Sequence, residues 1–407
     1  MSNTDKRGVP RASRRRTGAY RTLLALMALL TVLFLAACGS SDSDSGSSGS
    51  ETAGSEGTSS SEGGGDSAVE TARERLQAAM VEPKWEQPGP AFDAKKADGK
   101  KVLYIAVDAK IPVVENIYNA MSEGAKEGGV QVDLFDGKGQ VSEFNRGMET
   151  AISQNYDAVV LMSISPKLVA GAVADADRAG VKVIEAINGD PGKVQLPTVA
   201  ASGTSCYSCA GALMADYVIA DSEGDAKGTI FVSEEVTSGE DELAGIENEF
   251  DELCPDCDFN IENVAIADWG KRLPTLTRST LLSNPDAKYL MPLYDGMAIT
   301  VVPAVEQANK PDVRVVSLNA TPAVVEMMAQ GDTMAADVGG AYTWLGWGLA
   351  DQSLRVLSGQ PPVDDENIPL RMFTEENLDE IDLDASEESW YGTTDFKSNY
   401  KKLWQVE

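Results

Sequence analysis

Residues 158–187 read AVVLMSISPKLVAGAVADADRAGVKVIEAI, and the fold follows from how this stretch divides. Residues 158–162 are apolar without alternation. Residues 168–179 have helical spacing, and residues 181–187 are again mostly apolar, apart from Lys182 and Glu185. A short, continuously apolar strand, a helix and a second such strand form the repeating unit of a parallel sheet covered on both faces. The same alternation extends in both directions. Upstream, strands are expected at 102–107 and 130–135, with helices at 113–128 and 143–154. Downstream, strands are expected at 199–201, 229–232, 261–266, 289–293, 313–318 and 334–338. Helices fall between them at 211–220, 243–253, 273–282, 298–307 and 323–330, with a last long one at 344–357. Ten strands are too many for one mononucleotide-binding half. The predicted fold is therefore α/β, with two doubly wound parallel-sheet lobes. Sheets of this kind bind ligands beyond the carboxyl ends of their strands, which points to a cleft between the lobes.

The N-terminus sets the compartment. Arg11, Arg14, Arg15, Arg16 and Arg21 form a basic region, and residues 23–35 are apolar except for Thr31. The run is short for a bilayer and fits the apolar part of a signal peptide. It ends in Leu35-Ala36-Ala37-Cys38-Gly39, which resembles the lipobox of bacterial lipoproteins. The resemblance implies a signal peptide over 1–37, lipidation of the Cys38 thiol, and an anchored protein on the extracellular face of the cytoplasmic membrane. Residues 39–67 are nearly all Ser, Gly, Glu, Asp and Thr. They cannot bury a core, so 38–67 is expected to be the lipidated cysteine and a disordered, self-repelling tether. Residues 68–99 form an N-terminal extension before the first lobe.

The chain carries a formal charge of −30. Beyond residue 37 there are 27 basic against 63 acidic residues, a net of −36. Phosphate backbones repel such a chain, which argues against nucleic-acid partners. There is no histidine, so Ser-His-Asp triads, Cys-His dyads and histidine-ligated metals are excluded. No nucleophile–base pair or phosphate-cradling glycine loop appears either, and neither an enzyme, a cofactor nor a metal is expected. Apart from Cys38, the cysteines form two Cys-x-x-Cys pairs, Cys206/Cys209 and Cys254/Cys257. Four cysteines allow three pairings, or a zinc site; the compartment favours disulfides.

Several motifs carry a resemblance over roughly residues 100–375. Residues 179–184 (AGVKVI), the pair of segments 284–287 (NPDA) and 293–298 (LYDGMA), residues 315–322 (VVSLNATP), and residues 330–332 with 334–336 (QGD, MAA) stand in a consistent order and spacing. They resemble the type I periplasmic binding proteins, the ribose-binding-like receptors of ATP-driven sugar importers. Residues 254–257 (CPDC), the 344–347 segment (WLGW) with Asp351 and Arg355, and an aromatic tail resemble a lipoprotein subgroup of that family. The resemblance implies a three-segment hinge crossing near Ser202, Gly340 and Pro369. Lobe one would be 100–202 and 341–368; lobe two would be 203–340 and 369–407 with the C-terminal tail. It also implies a monomer that captures a small polar solute, a sugar or polyol, and delivers it to ABC permease subunits. A ligand-presenting sensor for a membrane receptor is the alternative, as is a cationic or nucleoside-like solute. In such lobes Cys206 would start a helix at the cleft side and Cys254 would end one at the far side. Each Cys-x-x-Cys is therefore expected to close locally, since bridged Cα atoms lie within about 7 Å.

A sugar site needs planar hydrogen-bonding groups and an aromatic face. Residues just beyond strand ends are the candidates: Asp108 and Lys110 after the first strand, Asn188 and Asp190 after the fourth, Trp269 after the seventh, Tyr294 and Asp295 after the eighth, and Asn319 after the ninth. Each competes with a turn or capping role, and Lys110, like Lys167 and Lys271, reads equally as solvated. Trp269 is expected to have no core to join. Where ribose binders of the family carry an arginine at the start of the helix after strand six, this chain has Glu240 or Glu242. That reversal, if it faces the cleft, favours a neutral or cationic solute over an anion. Trp344 and Trp347, three apart on a helix, read as packing residues rather than a ligand platform.

Overall fold

The computed structural model describes residues 63–331 and 333–407. The expected signal peptide, Cys38 and most of the expected tether lie outside the described residues. The first lobe is built on a parallel sheet of β1 (Lys101–Ala106), β2 (Gln131–Asp136), β3 (Ala158–Met162), β4 (Lys182–Ala186) and β5 (Ala201–Gly203), in the order β2-β1-β3-β4-β5. The second is built on β6 (Lys227–Val232), β7 (Asp258–Asn263), β8 (Tyr289–Pro292), β9 (Arg314–Asn319), β10 (Met334–Gly339) and β11 (Arg371–Thr374), in the order β7-β6-β8-β9-β10-β11. The two orders match, with β11 added antiparallel at the edge of the second sheet. β1 and β3 are buried almost throughout, as their unbroken apolar sequence requires in a sheet covered on both faces.

Helices α2 (Pro112–Glu127), α3 (Val141–Ser153), α4 (Ala170–Ala179) and α10 (Tyr342–Leu357) cover the first sheet. Helices α5 (Tyr207–Asp221), α6 (Ser238–Leu253), α7 (Leu273–Ser283), α8 (Asp295–Gln307) and α9 (Pro322–Gln330) cover the second. α4 stops at Gly180, whose φ of +81° is the left-handed conformation that favours glycine. α5 and α6 cross at unusually short range. A Cβ on Gly211 would lie 2.0 Å from the Glu242 carbonyl oxygen, and one on Gly245 would lie 2.1 Å from the Ser208 carbonyl oxygen. Only glycine permits this approach, and it fixes how the first turn of α6 is rotated.

Cys206 caps the N-terminus of α5 and is bonded to Cys209; Cys254 caps the C-terminus of α6 and is bonded to Cys257. Both pairings are the local ones expected.

The strand expected at 261–266 lies three residues earlier. Asp258–Asn263 pairs with β6 only, as an edge strand with half-exposed sequence, and residues 266–268 form a 3-10 turn. The apolar Ile261 and Ile266 suggested a buried strand, yet both are substantially exposed.

The two ends of the described chain depart from the expected lobes. Helix α1 (Gly63–Met80) takes in the last residues expected to be tether and packs on α5 and β11 of the second lobe. Val69 and Ala72 are buried there, and Arg75 pairs with Glu249. Residues 85–97 then run along the first lobe. Trp85 stacks on Trp344, and the Phe92 amide donates to the Leu403 carbonyl at 2.9 Å. The C-terminal segment likewise divides. β11 belongs to lobe two, whereas α11 (Phe396–Leu403) lies on α10 of lobe one. Trp404 stacks on Trp347 at 5.4 Å, Phe396 stacks on Trp344 at 4.7 Å, and the Trp404 indole donates to Asp351 at 2.5 Å. Burial of these rings brings α11 to the first lobe, so residues 369–407 are not one lobe-two segment. Trp344 and Trp347 are wholly buried in this cluster.

Candidate functional site

In both sheets the strand order reverses direction at one point, between β1 and β3 and between β6 and β8. At such a point neighbouring loops diverge and leave a crevice at the carboxyl ends of the strands. The loop after β4 meets the first turns of α5 and α6 across a seam between the lobes.

Lobe one contributes the loop after β4. The Asn188 side chain donates to the Ile164 carbonyl at 3.0 Å, and its oxygen accepts from the Thr237 hydroxyl of lobe two at 2.8 Å. Asp190 accepts from the Ser208 amide at 2.9 Å, and its own amide donates to Asp241 at 2.8 Å. Lys193 reaches the same Asp241 at 3.0 Å. Asn188 thus spends its side-chain oxygen, and Asp190 one carboxylate oxygen and its amide, across the seam in this conformation. Behind the loop, Glu185 is buried, accepts from the Gln195 amide at 2.8 Å, and has its carboxyl pushed up to about 7 by burial. Asp108 accepts from the Lys110 amide at 2.9 Å in a local turn, and the Lys110 side chain is exposed.

Lobe two contributes the ends of β6 to β9. Trp269 has found packing partners, contrary to expectation. Its indole donates to the Ser233 hydroxyl at 2.8 Å, its ring stacks on Tyr294 with centroids 6.1 Å apart, and it lies directly over Gly296. A loop tryptophan covers a glycine here because glycine leaves the space. Tyr294 is 7 % exposed, and its hydroxyl has no hydrogen-bond partner.

Asp295 is the first residue of α8, and one of its oxygens accepts from both the Thr321 amide and the Thr321 hydroxyl at 2.6 Å. Burial pushes its carboxyl up to about 6 against those donors. Asp337 adjoins it and is pushed well above the carboxylate range by burial and by the Asp295 charge. Two carboxyls so close share a proton. Asn319, at φ +131°, accepts from the Asp295 amide at 3.3 Å and donates to the Tyr342 hydroxyl at 2.5 Å. Asp295 and Asn319 therefore tie the β8, β9 and hinge loops together.

The first turn of α6 separates the two glutamates left open by the sequence. Glu240 is exposed, so the structure turns this candidate away from the protein interior. Glu242 is fully buried, beside Tyr207 and Tyr294. The close α5–α6 crossing sets this rotation, which the spacing of residues along α6 does not reveal. Thr237, Asp241 and Lys193 were not singled out from the sequence. Their signal is only the expected meeting of two loops.

A further concavity of about 590 Å³ lies behind lobe two, between α1, the end of α5 and the start of β9. It is at the opposite end of the strands from the seam.

Residues 100–361 match the family described as "Periplasmic binding protein domain". No curated protein matches the chain in sequence. Among solved structures, the chain is similar to an ABC sugar transporter subunit from Rhodobacter sphaeroides, with TM-score 0.62, 18% identity, and coverage of 69% of this chain and 99% of that one. It is similar to an ABC transporter solute-binding protein from Agrobacterium vitis with bound allitol, with TM-score 0.61, 17% identity and coverage of 69% and 97%. A solute-binding protein from Bacillus halodurans with bound myo-inositol gives TM-score 0.62, 18% identity and coverage of 72% and 99%. The family match spans well over half of the sequence and both sheets up to the end of α10. The chain therefore belongs to the periplasmic binding protein domain family, as an extracytoplasmic, non-catalytic solute-binding protein.

Proposed function

We propose that this protein is a lipid-anchored receptor that captures a small sugar or polyol between its lobes and presents it to the permease of an ABC importer. The carrying observation is the matched switch point in each sheet, with strand-end loops of the two lobes joined by the Asn188–Thr237 and Asp190–Asp241 hydrogen bonds. A solute held there touches both lobes, so it favours the closed form over the open one. The allitol and myo-inositol held by the similar proteins support a polyhydroxyl solute. Asp108, Asn188 and Asp190 would serve from lobe one, and Trp269, Tyr294 and Asn319 from lobe two. Asp295 acts by holding the loops.

The anchor rests on Cys38 at the end of the apolar run. Replacing it, Cys38→Ser, should abolish incorporation of labelled lipid and release the protein from membranes; undiminished labelling defeats the anchor. The solute class is tested by thermal-shift screening of the purified mature chain against sugars, polyols, nucleosides and amino acids. Stabilisation by a member of the first two groups supports the reading, and stabilisation by nucleosides or amino acids alone overturns it.

A further inference from the structure

Glu242 sits where the first turn of α6, the start of α5 and the β8–α8 junction converge, at the β6/β8 switch point. It is fully buried, and neither carboxyl oxygen has a hydrogen-bond partner. Around this corner the hydroxyls of Tyr294, Ser238 and Ser205 are also buried and unpartnered. Burial raises the Glu242 carboxyl well above the usual range, and no basic side chain among the described residues pulls it back. Lys193, the cation at this seam, is held by Asp241 and Asp190.

An unpaired buried carboxyl is costly, and removing a charge partner from such a site costs more than the pair gains. A structural acid in this position is normally tied down by donors, as Asp295 is by Thr321. Glu242 has none, and it lies in the half of the molecule where a solute is expected. A solute hydroxyl offers one donor and no charge. An ammonium offers three donors and the missing charge. The stacked Tyr294 and Trp269 rings beside this corner present π-faces that also favour a cation.

We propose that Glu242 is the counter-ion for a protonated amine on the solute, so that the cleft selects amino sugars or amino polyols over their neutral analogues. The inference rests on the inter-lobe cleft being the solute site. In the free protein, burial favours the protonated form of the Glu242 carboxyl. When the ammonium binds, the carboxyl ionises and one proton passes to the buffer; the amine keeps its own. The groups facing Glu242 are the Tyr207 and Tyr294 phenols, both raised far above neutrality by burial, with Asp190 beyond Tyr207 and Asp241 on the same turn. The phenols stay neutral, and the two aspartates stay engaged with Lys193.

Titration calorimetry on the mature chain in detergent, at pH 7 in two buffers of different ionisation enthalpy, tests this with matched pairs: glucosamine against glucose, and 1-amino-1-deoxysorbitol against sorbitol. The amine member should bind about tenfold or more tightly, the scale of one hydrogen bond to a charged group. The buffer dependence should show release of a proton. In Glu242→Gln, which keeps the shape, the preference and the proton release should both vanish, and a thermal melt establishes that this variant is folded. Neutral members binding as tightly as amines in the unaltered chain, or amine binding without proton release, overturns the inference and leaves the sugar-or-polyol reading standing. Failure of all four to bind, in a chain that melts cooperatively, overturns that reading and the inference with it.

Discussion

Asp241 is the residue through which the second lobe grips the first, and Asp241→Ala should open the protein. One carboxylate oxygen accepts from the Asp190 amide at 2.8 Å and the other from Lys193 at 3.0 Å. The lysine side chain is 62% exposed, so its ion pair is worth well under 1 kcal/mol after solvent screening. The amide bond is a charge-assisted contact in a half-buried place and is worth about 1–1.5 kcal/mol. Together they favour the closed form by about 1.5–2 kcal/mol, a factor of roughly 10–30 in the open–closed ratio. The Asn188–Thr237 bond remains in the variant, so closure is weakened and not lost. Spin labels at Lys138 in lobe one and Gln307 in lobe two, both exposed, would report the inter-lobe distance without solute. The variant should show a larger population at long distance, and solute affinity should fall by up to the same factor. An unchanged distance distribution, with the variant folded, refutes the claim that this contact holds the lobes together.

Trp269→Ala should weaken solute affinity by about 1–3 kcal/mol, the scale of exposing a large apolar face, and calorimetry on a solute known to bind measures it. It should also lower the melting temperature, because the ring covers Gly296 and packs on Tyr294. Trp404→Ala should cost about 3–5 kcal/mol of stability in denaturant titration, while Trp404→Phe should lose chiefly the bond to Asp351, about 1–3 kcal/mol. Acidification should stabilise the fold. Burial raises the carboxyls of Glu185 and Glu387 to about 7 and that of Asp295 to about 6, so each binds a proton more tightly folded than unfolded. Their contribution is full below the unfolded value and is lost as pH rises through the folded one. Melting temperature should therefore fall from pH 5 to pH 8, with a slope of at most about 1.4 kcal/mol per pH unit for each group; a rise over that interval contradicts these assignments.

The lobes were legible because their strands are short apolar runs broken by helical spacing, and a parallel sheet covered on both faces demands that pattern. Three features were not legible for identifiable reasons. The edge strand β7 is half exposed, so its period is weak, and the apolar Ile261 and Ile266 drew the expected boundary three residues late. The terminal segments have no lobe pattern of their own. Their positions are set by aromatic partners far away in sequence, Trp85 with Trp344 and Trp404 with Trp347. At the site, the positions of Asn188, Asp190, Trp269 and Asp295 at strand ends were legible, but their partners were not. Hydrogen bonds such as Asn188 to Thr237 join residues from different lobes, and no local spacing encodes them.

The terminal segments also change what the hinge is. A two-lobed receptor with three crossings bends about three short strands of chain. Here the chain additionally passes between lobes after α1 and again between β11 and α11. Both extra passages are anchored at each end by buried or partly buried groups. On lobe two these are Val69, Ala72 and the Arg75–Glu249 pair. On lobe one they are the Trp85, Trp344, Phe396 and Tyr400 rings. Arg371 on β11 binds the Met80 and Trp390 carbonyls at 3.0 and 2.6 Å, and so fastens the two extra passages to each other. Opening must keep these anchors or break them. Breaking a cluster of buried aromatic rings costs several kcal/mol, more than the 1.5–2 kcal/mol or so that the Asp241 contacts supply. The opening motion is therefore confined to rotations that leave this face of the molecule closed and separate the lobes at the Asn188 and Asp190 side.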